Sequence, residues 1–147
     1  MASERLVEDL LTFSRLLRPL RGSGMTPQQY WLLRQLRCAG PLSTGELAQS
    51  LGITNGSATV ACQRLEKAGL LTRKRQVEDE RVVQVALTEQ GRAQIDALRQ
   101  QKREALAEVL NVLNQDEQEE LQRMIDRLLD AAEAQGLREA RKHDCNH

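Results

Sequence analysis

Aromatic side chains are nearly absent: Phe13, Tyr30 and Trp31 are the full set in 147 residues. The bulk of any core must come from Leu, with Ala and Val, and a Leu-rich chain with charged spacers points to helices. Long apolar runs are missing as well. No stretch approaches the ~20 residues that a membrane-spanning helix needs, and the N-terminal MASERLVEDLL carries acids where a secretory signal is positive. A cytoplasmic protein is expected. Cysteine is limited to Cys38, Cys62 and Cys145, an odd number at wide spacing that suits reduced thiols better than a disulfide framework. Histidine is limited to His143 and His147 at the end of the chain. Ser-His-Asp and Cys-His catalysis therefore lack a base in the folded region, and no glycine-rich phosphate loop is present, so an enzyme is not expected. The trio His143, Cys145 and His147 falls short of the four arranged ligands of a stable zinc site. Neither a metal site nor a cofactor is expected.

An excess of one charge is also lacking, since 21 basic residues face 21 acidic ones, which argues against a general polyanion-coating protein. The distribution is uneven. Residues 1–37 carry six basic and three acidic groups, 56–92 carry seven and five, and 93–147 carry eight and twelve. The basic side is N-terminal and central, and the acidic C-terminal third cannot be a nucleic-acid face.

What is present is a series of capped helices. Leu6, Leu10, Phe13, Leu17 and Leu20 form a narrow apolar seam that ends at Arg21-Gly-Ser-Gly. Thr26-Pro27-Gln28-Gln29 opens a second helix with a capping box and runs to about Arg37, with Leu32, Leu33 and Leu36 inward. After Gly40-Pro41, Ser43-Thr44-Gly45-Glu46 opens a short helix, Thr44 to Leu51, that stops at Gly52. Residues 55–68 read as a further helix with Ala58, Ala61, Cys62 and Leu65 on one face. A short helix, a glycine turn and a second helix with small inward residues is a helix-turn-helix.

Two strands follow, Leu71 to Val77 and Arg81 to Leu87, around the polar turn Glu78-Asp79-Glu80, with Val83, Val85 and Leu87 on the half-buried side. A hairpin after a helix-turn-helix is a wing. Arg73, Lys74, Arg75 and Arg81 then stand where a wing meets a DNA backbone or minor groove, and Asp79 can hold the Arg81 guanidinium. Thr88 caps a long helix through Leu113, and Asn114 with Glu117 starts a last one carrying Leu121, Met124, Ile125, Leu128 and Leu129. The fold class is mainly α with a small β-hairpin.

The segments MTPQQYWLLRQL, PLSTGELAQSLGIT, RLEKAGLLTRKR and VEDERVVQVALTEQGR, over about 25 to 92, together resemble the multiple-antibiotic-resistance (MarR-type) winged-helix transcriptional regulators. The resemblance implies one domain over 1–147, with a DNA-binding lobe at 26–92, dimerisation helices at 1–21 and 93–135, and a flexible tail at 136–147. It implies a homodimer on a pseudo-palindromic duplex, with a recognition helix in each major groove and the wing arginine in the minor groove. The DNA-binding candidates are Ser43, Thr44, Asn55, Gly56, Ser57, Thr59, Val60, Gln63, Arg64, Arg73, Lys74, Arg75, Asp79 and Arg81. Members of the family commonly carry arginine at the positions of Asn55 and Val60, and here Arg64 is the one charged residue of the outward face. Gln63 or Asn55 can pair with adenine, and Thr59 and Val60 can pack on thymine methyls, which favours A·T-rich half-sites.

The seams around Leu6, Leu10, Phe13 and Leu17, and around Leu121, Met124, Ile125 and Leu128, exceed what one small lobe can cover, so a second copy is expected to cover them. The resemblance implies a repressor released by a small-molecule or stress signal. Arg15, Tyr30 and Trp31 are effector candidates, against a plainer reading as a solvated charge and packing rings. Cys38 and Cys62 are the candidates if the signal is an oxidant, although a buried apolar cysteine is inert. A winged-helix module that binds protein instead of DNA is the alternative from another class.

Overall fold

The computed structural model describes residues 3–16, 24–79 and 81–136. Contacts divide the chain into Met1–Lys102 and Arg103–His147. The first unit opens with α1 (Glu4–Leu16), which buries no residue. Leu17, Leu20 and the tail trio lie outside the described residues.

Helix α2 (Pro27–Ala39) starts as the TPQQ motif requires: the Thr26 hydroxyl accepts from the Gln29 amide, and the Gln29 side chain accepts from the Thr26 amide. Two of the unpaired first-turn donors are satisfied in this way. Strand β1 (Leu42–Ser43) leads into α3 (Thr44–Leu51), where the Ser43 hydroxyl accepts from the Glu46 amide. Gly52 closes α3 at φ 65°, a left-handed position that favours glycine. Helix α4 (Asn55–Lys67) follows after two residues. Its cap is Thr54, whose hydroxyl accepts from the Ser57 amide.

Strands β2 (Leu71–Arg75) and β3 (Val83–Leu87) pair antiparallel, with Arg73 opposite Val85 and Arg75 opposite Val83, and β1 pairs with the other edge of β3. Two expectations are corrected here. The strands are shorter than the sequence pattern indicates, because beyond Arg75 the chain leaves the ladder for a tight turn in which Val82 donates to the Asp79 carbonyl and Gln76 to that of Val82. The sheet has a third strand, Leu42–Ser43, which pairs with β3 but is too short to show any alternation of its own in the sequence.

Leu32, Leu33, Leu36, Leu47, Cys62, Leu65, Leu71, Val85 and Ile95 form the centre of one core, with Tyr30 beside them. Each fully buried Leu contributes about 1.5–3 kcal/mol, so the leucines of α2, α3 and α4 suffice to lock the two helices of the helix-turn-helix onto α2. Thr88 joins this core to the next helix: its hydroxyl donates to the Gly69 carbonyl and accepts from the Gly91 amide. Helix α5 (Glu89–Leu110) begins in the first unit and ends in the second. Arg37 of α2 and Asp96 of α5 meet at 3.0 Å.

In the second unit, Asn114 and Glu117 form a capping box at the start of α6 (Gln115–Ala134). The Gln118 amide group donates to the carbonyls of Leu110 and Leu113 and closes the turn between the helices. No residue of α6 is buried. No described helix is long and apolar enough to cross a membrane.

Candidate nucleic-acid interface

Helix α4 turns Ala58, Ala61, Cys62 and Leu65 inward. The opposite face is left to solvent and carries Asn55, Gly56, Ser57, Val60, Gln63 and Arg64. These positions are among those expected to face outward; Thr59, also expected there, is half-buried, and Val60 is apolar yet 47% exposed. An exposed valine among amide and hydroxyl groups can meet both the methyl and the hydrogen-bonding edges of base pairs.

Several of the hydroxyls are already engaged. The Thr59 hydroxyl donates to the Asn55 carbonyl, and the Thr54 hydroxyl donates to the Ser57 hydroxyl. Thr59 therefore offers its methyl, while Thr54, unnoticed in the sequence because Asn55 looked like the helix start, organises the first turn. Ser43 caps α3, and the Thr44 hydroxyl makes a long 3.5 Å bond to the Val83 carbonyl at the base of the wing. These two side chains hold the fold together at the start of the helix-turn-helix.

Beside α4 an open groove of about 610 Å³ reaches the start of α2, lined by Gly56, Ser57, Val60 and Arg64 on one side and Thr26 and Gln28 on the other. Gln28 was missed from the sequence because a capping box explains the TPQQ motif without it.

At the wing, the Asp79 carboxylate accepts from both the backbone amide and Nε of Arg81, at 3.1 and 3.3 Å. The arginine side chain is 92% exposed, so this contact orients it without burying it, as the D-x-R spacing indicated. Lys74 and Arg75 are exposed as well. Arg73 departs from expectation. It donates from Nε and Nη2 to the two carboxylate oxygens of Glu66, at 3.1 and 3.0 Å, as a fork on a fork. Glu66 is held below the usual carboxylate range by these hydrogen bonds and by the Arg73 charge, against some desolvation.

The effector candidates are only partly assembled. Tyr30 is buried and Trp31 half-exposed, and their rings meet edge to face at 5.5 Å. Arg15 is exposed on α1, and among the described residues no cation–ring contact joins it to them. The cations present are Arg34, 4.9 Å from the Trp31 centroid, and Lys102, 4.5 Å from Tyr30 and 5.7 Å from Trp31. Burial, then the Arg34 charge, pushes Lys102 below the ordinary lysine range. Arg34 was legible as the i+3 neighbour of Trp31, whereas Lys102 arrives from a distant helix.

The cysteines also differ from expectation. Cys38 is held in a disulfide, which corrects the reading of three reduced thiols. Cys62 is free and fully buried. Burial pushes its thiol up, with a smaller downward pull from Arg73, so it is a poor source of thiolate.

Comparison with known proteins agrees with this geometry. The sequence model of the MarR family matches residues 25–83. The HTH-type transcriptional repressor MdtR of Bacillus subtilis is 26% identical over 118 residues, spanning 80% of this chain and 76% of that one. An uncharacterized HTH-type transcriptional regulator of Bacillus cereus is 35% identical over 103 residues, 69% of this chain and 68% of its own. The crystal structure of wild-type MarR in its apo form from E. coli has a TM-score of 0.75 at 28% identity, covering 88% of this chain and 97% of that one.

Proposed function

Because the chain belongs to the MarR family and is a DNA-binding transcriptional regulator rather than an enzyme, we propose that it is a cytoplasmic homodimeric repressor of a pseudo-palindromic operator, released by a small-molecule signal. The observation that carries the reading is the pairing of a solvent-facing α4, rich in base-reading side chains, with a wing arginine held outward by Asp79. Asn55, Gly56, Ser57, Thr59, Val60, Gln63 and Arg64 face the major groove. Arg81 enters the minor groove, and Lys74 and Arg75 meet phosphates.

Two recognition helices related by a two-fold axis read half-sites about one DNA turn apart, ~34 Å. The dimer is supported by the apolar seams of α1 and α6, where Leu6, Leu10, Phe13, Met124, Ile125 and Leu128 are all exposed in the single chain. A repressor is supported by the name of the MdtR relative. For release, Tyr30, Trp31, Arg34 and Lys102 are the candidate contacts. Neither Arg34 nor Lys102 has an ion-pair partner among the described residues, so an anionic planar molecule suits them. An effector needs only ~1–3 kcal/mol of preference for the state that does not fit DNA.

Selection of genomic fragments by the purified protein at ~150 mM salt, a concentration at which phosphate contacts alone bind weakly, tests the reading. An inverted repeat enriched by the wild type and lost with Arg81→Ala is the expected result. Retention by the variant of the same fragments would remove the wing from the account.

A further inference from the structure

Arg73 lies on the same side of β2 as buried Leu71, while Thr72 and Lys74 point the other way into solvent. It therefore faces the end of α4, where Glu66 is one residue short of the helix terminus at Lys67. The result is the two-point contact already described, with both side chains partly covered: about a third of each remains accessible. Through the ladder Arg73 also sits opposite Val85, whose side chain is fully buried. One guanidinium thus joins the recognition helix to the strand pair that carries the wing.

We propose that Glu66 and Arg73 are a positioning pair for DNA binding, which sets the wing relative to the recognition helix, and that Arg73 is not itself a phosphate contact. A bidentate carboxylate–guanidinium pair resists rotation as well as separation, which a single lysine contact does not. Its net charge is zero, so it releases no counterions on binding, unlike the exposed Lys74, Arg75 and Arg81. Helix α4 and β2 are also linked by the short turn Ala68 to Leu70, where the Leu70 amide donates to the Leu65 carbonyl, and by packing of Leu65 and Leu71 in the core. The two-point ion pair adds an orientational restraint to these links. This orientation decides whether Arg81, six residues beyond the end of β2, reaches its groove while α4 occupies its own. The inference rests on the DNA-binding reading of α4 and the wing.

The test uses the full-length protein and the duplex enriched by genomic selection. Glu66→Gln, Arg73→Lys and the exchange Glu66→Arg/Arg73→Glu are measured alone, and Glu66→Gln also in combination with Arg81→Ala. Simple electrostatics says that Glu66→Gln, which removes a negative charge near DNA, should tighten binding. The positioning role says the reverse: about a tenfold loss, within the range of coupled pairs. Arg73→Lys keeps the charge but not the fork, and is expected to weaken binding as well. In the Glu66→Gln background Arg81→Ala should cost less than about twofold, because a misplaced wing has little left to lose. The exchanged pair should recover most of the affinity. Thermal unfolding of each variant separates loss of fold from loss of placement, since general destabilisation would leave the cost of Arg81→Ala the same in both backgrounds. Tighter binding by Glu66→Gln, wild-type binding by Arg73→Lys, or an unchanged cost of Arg81→Ala overturns the proposal while leaving the DNA reading intact. Failure of the wild type to bind any duplex overturns both.

Discussion

At Gly91, in the first turn of α5, an added Cβ would collide with the backbone carbonyl of Leu70. Leu70 is itself buried and donates its amide to the Leu65 carbonyl, so the obstacle cannot swing aside. Gly91→Ala is expected to destabilise the fold by about 1–3 kcal/mol, the range for overpacked sites, seen as a lower midpoint in urea unfolding. A neutral result would show that α5 docks on the wing base more loosely than described. Thr88 in the same LTEQG segment was legible as a helix cap; the close approach at Gly91 was not, because its cause is a residue 21 positions earlier. The arginines show the same division. The Asp79–Arg81 contact spans two residues and could be read directly. The Glu66–Arg73 pair could have been found by noting that Arg73 alternates in step with buried Leu71, but a basic run on a wing invites reading every member as a DNA contact.

Among the elements, those with chemical punctuation are legible in the sequence. Helices α2, α3 and α6 begin where Thr26, Ser43 and Asn114 place them, and the caps form. Helix α4 begins at the expected residue, but its cap is Thr54. The strands were harder, because their ends are set by pairing rather than by composition. The pattern of Val83, Val85 and Leu87 was correct as to face, with Val85 fully buried, yet the ladder stops at Arg75 and Val83. Val77, counted in the first strand, is fully exposed in the turn. The pairing of Glu66 with Arg73 gives the contact between α4 and β2 a defined pH response. A carboxylate with a lowered folded pKa adds stability above its unfolded pKa and loses it as pH falls through the folded value. The contact therefore persists at neutral pH and is lost only in acid.

On the scale of the molecule, the leading feature is unsatisfied apolar surface. No residue of α1 or α6 is fully buried among the described residues, and Leu128 is 54% exposed on the same face as Met124 and Ile125. In the proposed dimer a second copy covers these seams, which would make dimerisation and DNA affinity one property. Leu128→Glu is expected to shift the protein from dimer to monomer in sedimentation and to weaken operator binding by about tenfold or more, since affinity is linked to assembly by mass action. A variant that stays dimeric would move the interface elsewhere. That such faces exist was evident from the spacing of Leu6, Leu10 and Phe13. Of the charged partners of Tyr30 and Trp31, Lys102 was not evident, because the fold brings it to them.

In the proposed complex the wing arginines of two subunits touch one duplex. The most direct measurement is the operator binding constant from about 50 to 200 mM salt, the range over which phosphate-contact proteins lose most affinity, for the wild type and Arg81→Ala. Each cationic contact contributes a slope of about −0.9 in log K against log salt, so losing two, one per subunit, should flatten the slope by about 1.8. A steep wild-type slope flattened by that amount is the expected result. A slope that is shallow in both proteins, or equal in both, would contradict the claim that the wing binds DNA.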